Sequence, residues 1–154
     1  MSVQVHISGL EQASRKLRAL GDDKLAKRIT RKAARKAMNI ARNKARENAK
    51  LIDDPETAAM IYKNIVVQSG RPRGADVVMR LGVRGGASSN QHSKDISGLS
   101  GGDTRHWRFV ELGTKYEPAT PFLRPAFYNS IQAIGNKFCE EFSSEVSKVL
   151  SNTT

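Results

Sequence analysis

The chain has 154 residues, enough for one domain with a proper core and short for two. Hydrophobic residues make up 38% and the mean hydropathy is -0.50, the lean end of globular sequences, and no stretch approaches the roughly 18 apolar residues that a membrane span needs. Lys and Arg outnumber Asp and Glu 26 to 15, a net charge of +11, which favours a polyanion or an acidic protein surface as partner without choosing between them.

The opening Met1-Ser2-Val3-Gln4-Val5-His6 has no basic start followed by an apolar run, so no export signal is expected and the protein reads as cytosolic. Val3, Val5 and Ile7 alternate with Gln4 and His6 as in a half-buried strand. Leu10, Ala13, Leu17 and Leu20 then share one face of a short helix that stops at Gly21. Asp22-Asp23 supplies a capping acid for a run from Lys24 to about Lys50 that contains neither proline nor glycine and is rich in Ala, Arg and Lys. A long helix is expected there, with Leu25, Ile29, Ala33, Ala37 and Ile40 as a narrow stripe of mostly small side chains. Cations cover most of the remaining surface, opposed only by Glu47.

Asp53-Asp54-Pro55 breaks that helix, and Ala58 to Ile61 can add a helical turn. Ile61 to Gln68 and Asp76 to Val83 read as two strands joined through Ser69-Gly70-Arg71-Pro72 into a hairpin. Arg84 to Thr104, dominated by glycine and serine, is expected to be a flexible loop. Trp107, Phe109 and Glu111 alternate with Arg108 and Val110, predicting a third strand interrupted by Gly113. Ala126, Phe127, Ile131, Ile134, Phe138, Phe142, Val146 and Val149 recur at three- and four-residue steps and predict one amphipathic C-terminal helix. The expected class is α+β: a single domain over 1–154, with a small antiparallel or mixed sheet packed by the long basic helix and the C-terminal helix.

Reactive chemistry is sparse. His6, His92 and His106 are isolated, and the one cysteine, Cys139, falls on a helix of core-like periodicity, so neither a metal site nor an internal disulfide is expected. No glycine-rich loop has the phosphate-cradling context, and no serine sits in a nucleophile elbow. Asp76, Glu111 and Lys115 could in principle serve a Mg²⁺-dependent nuclease, but the glycine between Glu111 and Lys115 does not aim them at one point. Glu111 reads better as a strand residue paired to a nearby Arg or Lys. No catalytic residue and no cofactor are assigned.

The most individual stretch is WRFVELGTKYEPATPFLRPAF, Trp107 to Phe127. Gly113 lets the chain leave an element at an angle that residues with a β-carbon resist, and Pro118, Pro121 and Pro125 fix φ along the connector. Pro125 fits the first turn of the last helix, where its missing N–H is harmless, and Phe122 and Leu123 anchor the connector under the sheet. On the residues alone this is a rigid corner inside one subunit.

That pattern, with VQVHISGLEQASRKLRAL, the basic helix, and Asp53-Asp54-Pro55 running into IYKNIVV, resembles the tail-component family of long-tailed phages, the proteins similar to the tenth-gene product of lambdoid HK-type phages. Many members place a Thr-Gly-x-Leu turn before the second strand, which Pro55 to Ile61 lacks. The resemblance implies a non-enzymatic tail-completion or head–tail joining protein, located in the virion tail or neck and assembled in the host cytoplasm. It implies a ring, six-fold like the tail tube, that meets the tail terminator, the tail tube and head-side connector proteins. It also implies that the corner, Trp107, Phe109, Glu111, Gly113, Thr114, Pro118, Pro121, Phe122, Leu123, Arg124 and Pro125, lines a subunit interface.

The basic helix has three readings. Lys27, Arg28, Arg31, Lys32, Arg35, Lys36, Arg42, Lys44 and Arg46 can form a solvated face, can contact phage DNA in the channel without reading sequence, or can meet an acidic partner surface. Unopposed like charges repel along a helix, which favours an anionic partner over a merely solvated face. The alternative function is a free-standing basic nucleic-acid-binding protein.

Overall fold

A computed structural model describes residues 21–72, 77–85 and 97–152. The expected strand at Val3 to Ile7, the helix from Leu10, His6, His92 and Asp76 lie outside the described residues. Among the described residues the order is α1 (Asp23–Lys50), α2 (Ile61–Asn64), β1 (Ile65–Ser69), β2 (Met79–Val83), α3 (Trp107–Leu112), α4 (Leu123–Tyr128) and α5 (Ile131–Ser151). The α+β class holds, with a two-stranded antiparallel sheet, a long basic helix and a C-terminal helix.

The chain gathers into two compact units. One takes its described residues from the segment up to Ile40, from Gln68–Arg80 and from Ile131 onward; the other is Ala41–Val67 with Leu81–Ser130.

In the first unit, α1 begins where Asp22 Oδ1 accepts the Leu25 N–H at 2.9 Å, the capping acid expected there. Ala26, Ile29, Ala33 and Ala37 are buried on α1, and Ile134, Phe138 and Phe142 are buried on α5. The Phe138 and Phe142 rings stack with centroids 5.7 Å apart. Two ion pairs set the register: Lys32 Nζ lies 2.9 Å from Glu145 Oε2, and Lys36 Nζ lies 2.6 Å from Glu141 Oε2. Each partner advances by one helical turn as the other retreats, so the two segments run antiparallel. Cys139 is exposed on α5, because the buried face follows Ile134, Phe138 and Phe142 and leaves the residue after Phe138 pointing out.

In the second unit, Ala45, Ala49, Ile61, Ile65, Phe122 and Ala126 form a buried cluster, with Ile52, Tyr62, Leu81, Val83, Trp107, Val110 and Leu123 packed against it. Fully burying one side chain of the Ile or Phe class contributes on the order of 2 kcal/mol. The alanines of α1 leave room for those larger partners. The Arg84 N–H bonds to Asn64 O at 2.8 Å, and in the first unit the Gly70 N–H bonds to Val78 O at 2.8 Å. Both fit one hairpin register, with Ile65 opposite Val83 and Val67 opposite Leu81.

Three expected elements change. Ile61 to Asn64 is a helical turn rather than the start of a strand. Asp53 lies just past α1, and its Oδ1 and Oδ2 accept the Ile61 and Tyr62 N–H groups at 2.9 and 3.0 Å, so a distant side chain caps the turn. Trp107 to Leu112 is a helix rather than a third strand. Trp107, Val110 and Glu111, spaced three and four apart, turn inward, while Phe109 and Leu112 are exposed. A six-residue apolar run fits either period, and the buried partners of Glu111 select the helical one. Finally, the C-terminal helix is two helices. Asn129 and Ser130, residues better suited to helix ends than interiors, separate α4 from α5. Pro125 therefore lies in the first turn of α4, not of the long final helix.

Candidate functional site: a glycine-proline corner and a basic helix

The corner is organised by Glu111, which is 2% exposed. Its Oε2 accepts the N–H groups of Phe122 and Leu123 at 2.7 and 2.9 Å, and its Oε1 accepts the Arg124 N–H and Arg124 Nε at 3.0 Å each. Phe122 is the N-cap of α4, and Leu123 and Arg124 are its first two residues. Helix starts leave such donors without intrahelical partners, and here one carboxylate takes all three. The next position is Pro125, which has no N–H to satisfy. Arg124 Nη2 returns to the Glu111 main-chain carbonyl at 2.6 Å, tying the end of α3 to the start of α4. The sequence expectation of a basic partner for Glu111 is met by Arg124; the backbone role was not foreseen.

Between the two helices, Gly113 has φ of +78°, and a β-carbon there would lie 2.7 Å from the Ala119 nitrogen. Both facts exclude a side chain, because the positive φ strains other residues and the connector folds directly back over this position. Thr114 Oγ1 accepts the Tyr116 and Glu117 N–H groups at 3.2 and 3.0 Å, and the Thr114 N–H bonds to Glu117 O at 2.8 Å. The Thr120 N–H reaches Val110 O at 2.8 Å. Pro118 and Pro121 are exposed, whereas Phe122 is fully buried and its carbonyl accepts Asn48 Nδ2 at 3.2 Å. Phe109 (63% exposed), Leu112 (60%) and Tyr116 (85%) project from this braced corner into solvent. The corner residues are thus brought together: Glu111 and Phe122 are buried, Phe109, Thr114, Pro118 and Pro121 are exposed, and the others are partly buried.

A second construction in the same unit escaped the sequence reading. Asn64 is 1% exposed; its Nδ2 donates to Gly102 O at 3.0 Å and Thr104 Oγ1 at 2.7 Å, and its Oδ1 accepts the Gly101 N–H at 2.9 Å. With the Arg84 N–H on its own carbonyl, Asn64 holds the chain on both sides of the glycine- and serine-rich segment. An asparagine inside an apolar run, four residues before a predicted strand's end, was the available signal.

The basic residues divide by what they already touch. Lys32 and Lys36 are engaged by Glu145 and Glu141, which supplies part of the anionic offset from within the chain. Hydrogen bonds from Lys36 and then Lys137 hold the Glu141 carboxyl below its usual 4.5, and Lys32, with Lys148, does the same for Glu145 against an opposing push from burial. Arg46 donates from Nε and Nη2 to Ile65 O at 3.1 and 2.8 Å, and burial, with Arg42 nearby, lowers its pKa. Lys44 pairs with Glu47 at 3.2 Å, and Arg42 bonds the adjacent Asn43. Arg35 reaches only the Ser69 hydroxyl, at 3.4 Å. Lys27, Arg28 and Arg31 are exposed and have no acidic partner among the described residues. Among those residues no group of His, Cys, Asp and Glu could hold a metal ion, and no helix is long and apolar enough to cross a membrane.

No curated protein and no solved structure matches the chain. A family model described as "Bacteriophage HK97-gp10, putative tail-component" matches residues 11–113, about two thirds of the sequence. The match takes in α1, the hairpin and α3 and ends on Gly113, leaving the connector and α4 beyond it. With that span, the chain belongs to the HK97-gp10-like family of bacteriophage tail components.

Proposed function

We propose that this tail component is a tail-completion protein: identical copies associate as a ring, six-fold like the tail tube, at the head-proximal end of the tail and help join it to the head. Its neighbours in this reading are the tail terminator, the tail tube and the head-side connector. The observation that carries the proposal is the exposed apolar trio Phe109, Leu112 and Tyr116 on a corner whose backbone is braced by Glu111 and Arg124. Exposed apolar side chains on a rigid mount cost little further ordering when they are covered, which suits a repeated head-to-tail contact that closes into a ring.

Native mass measurement on the purified protein and on isolated tails tests this. Rings are expected in at least one preparation, and replacing Phe109 and Leu112 by Ser should shift them to monomers without unfolding the chain. Monomers alone in both preparations would overturn the ring. Particles assembled without the protein test the joining step: unjoined heads beside finished tails support it, whereas tails of abnormal length assign the action to termination instead.

A further inference from the structure

We infer that the outward face of α1 from Lys24 to Arg35 is a sequence-independent binding site for the phosphate backbone of duplex DNA. The face lies wholly within the first unit and comprises Lys24, Lys27, Arg28, Arg31 and Arg35, all exposed. At 3.6 residues per turn these five side chains fan over about 100° of the helix surface and about 16 Å of its length. No acid interrupts them, since between Asp23 and Glu47 the helix carries none. Among the described residues none of the five has an acidic partner, and Arg35 has only the long contact to Ser69.

The ion pairs of Lys32 and Lys36 sharpen this assignment. These two lysines flank the face on the same helix and are already neutralised by Glu145 and Glu141. Where α1 meets α5, the protein provides counter-charges; on the outward face the described residues provide none. Like charges at one-turn spacing oppose helix formation, so an uncompensated row points to an external polyanion.

The kind of polyanion follows from what the face lacks. A protein-docking surface normally has an apolar or aromatic centre within its polar rim. Among the described residues the exposed large hydrophobic ones are Leu51, Phe109, Leu112, Tyr116, Tyr128 and Leu150, and none belongs to this stretch. Single-stranded nucleic acid needs aromatic stacking platforms, which are missing for the same reason. Duplex DNA needs neither, because cations against a regular row of phosphates are sufficient, and over about 16 Å a duplex presents on the order of ten of them.

The test uses the full-length protein and a random-sequence duplex of about 30 base pairs, with binding followed by fluorescence anisotropy from about 50 to 200 mM salt. Five phosphate contacts give an expected slope of log K against log salt of about -4 to -5. Changing Arg28, Arg31 and Arg35 together to Gln should make the slope shallower by about 3 and weaken binding at least about tenfold near 100 mM salt. The paired changes Lys32→Gln with Glu145→Gln, and Lys36→Gln with Glu141→Gln, preserve net charge and should leave the slope unaltered. Circular dichroism checks the helix in each variant; if the triple variant loses it, Arg31→Gln alone should still make the slope shallower by about 1.

The inference is overturned if the folded arginine variants bind as the parent does, or if the lysine–glutamate variants flatten the slope equally. It is also overturned if polyglutamate of equal charge competes as well as duplex, which would mark an acidic protein surface. A protein that binds duplex with the expected slope yet forms no ring would sink the ring reading and leave this one standing.

Discussion

Three hydrogen bonds join Arg124 to Glu111: the guanidinium Nε and the main-chain N–H of Arg124 both reach Glu111 Oε1 at 3.0 Å, while Nη2 bonds the Glu111 carbonyl at 2.6 Å. The pair spans the entire connector, so the glycine, the prolines and Thr114 act within a frame whose ends are already held. Removing the carboxylate leaves three N–H groups and a partly buried guanidinium without their acceptor. Glu111→Ala is therefore expected to destabilise the protein by about 3 kcal/mol, read as a lower denaturation midpoint in urea. Glu111→Gln, which keeps the volume but turns an amide toward donors, should lose a large part of the same stability.

Two glycines should respond to alanine with opposite sign. Gly113→Ala forces a β-carbon into a positive-φ position 2.7 Å from the Ala119 nitrogen, and a loss of about 1 to 3 kcal/mol is expected. Gly135 lies within α5, where an added β-carbon meets nothing within 4 Å, so Gly135→Ala should gain about 0.5 to 1 kcal/mol. Thermal melts of the two variants beside the parent decide both.

Asn64 makes three hydrogen bonds through one buried side chain. Asn64→Leu has similar volume but leaves Thr104 Oγ1 and the Gly101 N–H without that partner. A loss of about 1 to 3 kcal/mol is expected, with hydrogen exchange at the Gly101 amide rising more than at β1.

The glutamates on α5 predict an acid-side pH dependence. The Glu141 and Glu145 carboxyls titrate below 4.5 in the folded protein because Lys36 and Lys32 stabilise their charged forms. A depressed folded value contributes stability above the unfolded pKa, and that contribution is lost as pH falls below 4.5 through the folded values. Replacing Lys32 and Lys36 by Gln should flatten the decline of melting temperature below pH 4.5. Equal declines in parent and variant would show that the two pairs carry no stability.

Much of this was legible along the chain because it depends on neighbours in sequence. A run without glycine or proline, opened by Asp22, makes α1 wherever its small face is covered. The need for glycine at 113 and for a helix start at Pro125 was readable for the same reason. Local pattern also set the family resemblance, which the match over residues 11–113 bears out.

Partners distant in sequence obey no period. Asp53 capping α2, Asn64 holding Gly101 and Thr104, and Glu111 gathering the N–H groups of Phe122, Leu123 and Arg124 each join residues eight to forty positions apart. Such bonds form only once packing has removed water and brought donor to acceptor. That is why Trp107 to Leu112 looked like a strand and folds as a helix. It is also why nine similar cations on α1 became distinct only when Glu141 and Glu145 of α5 were seen to neutralise two of them.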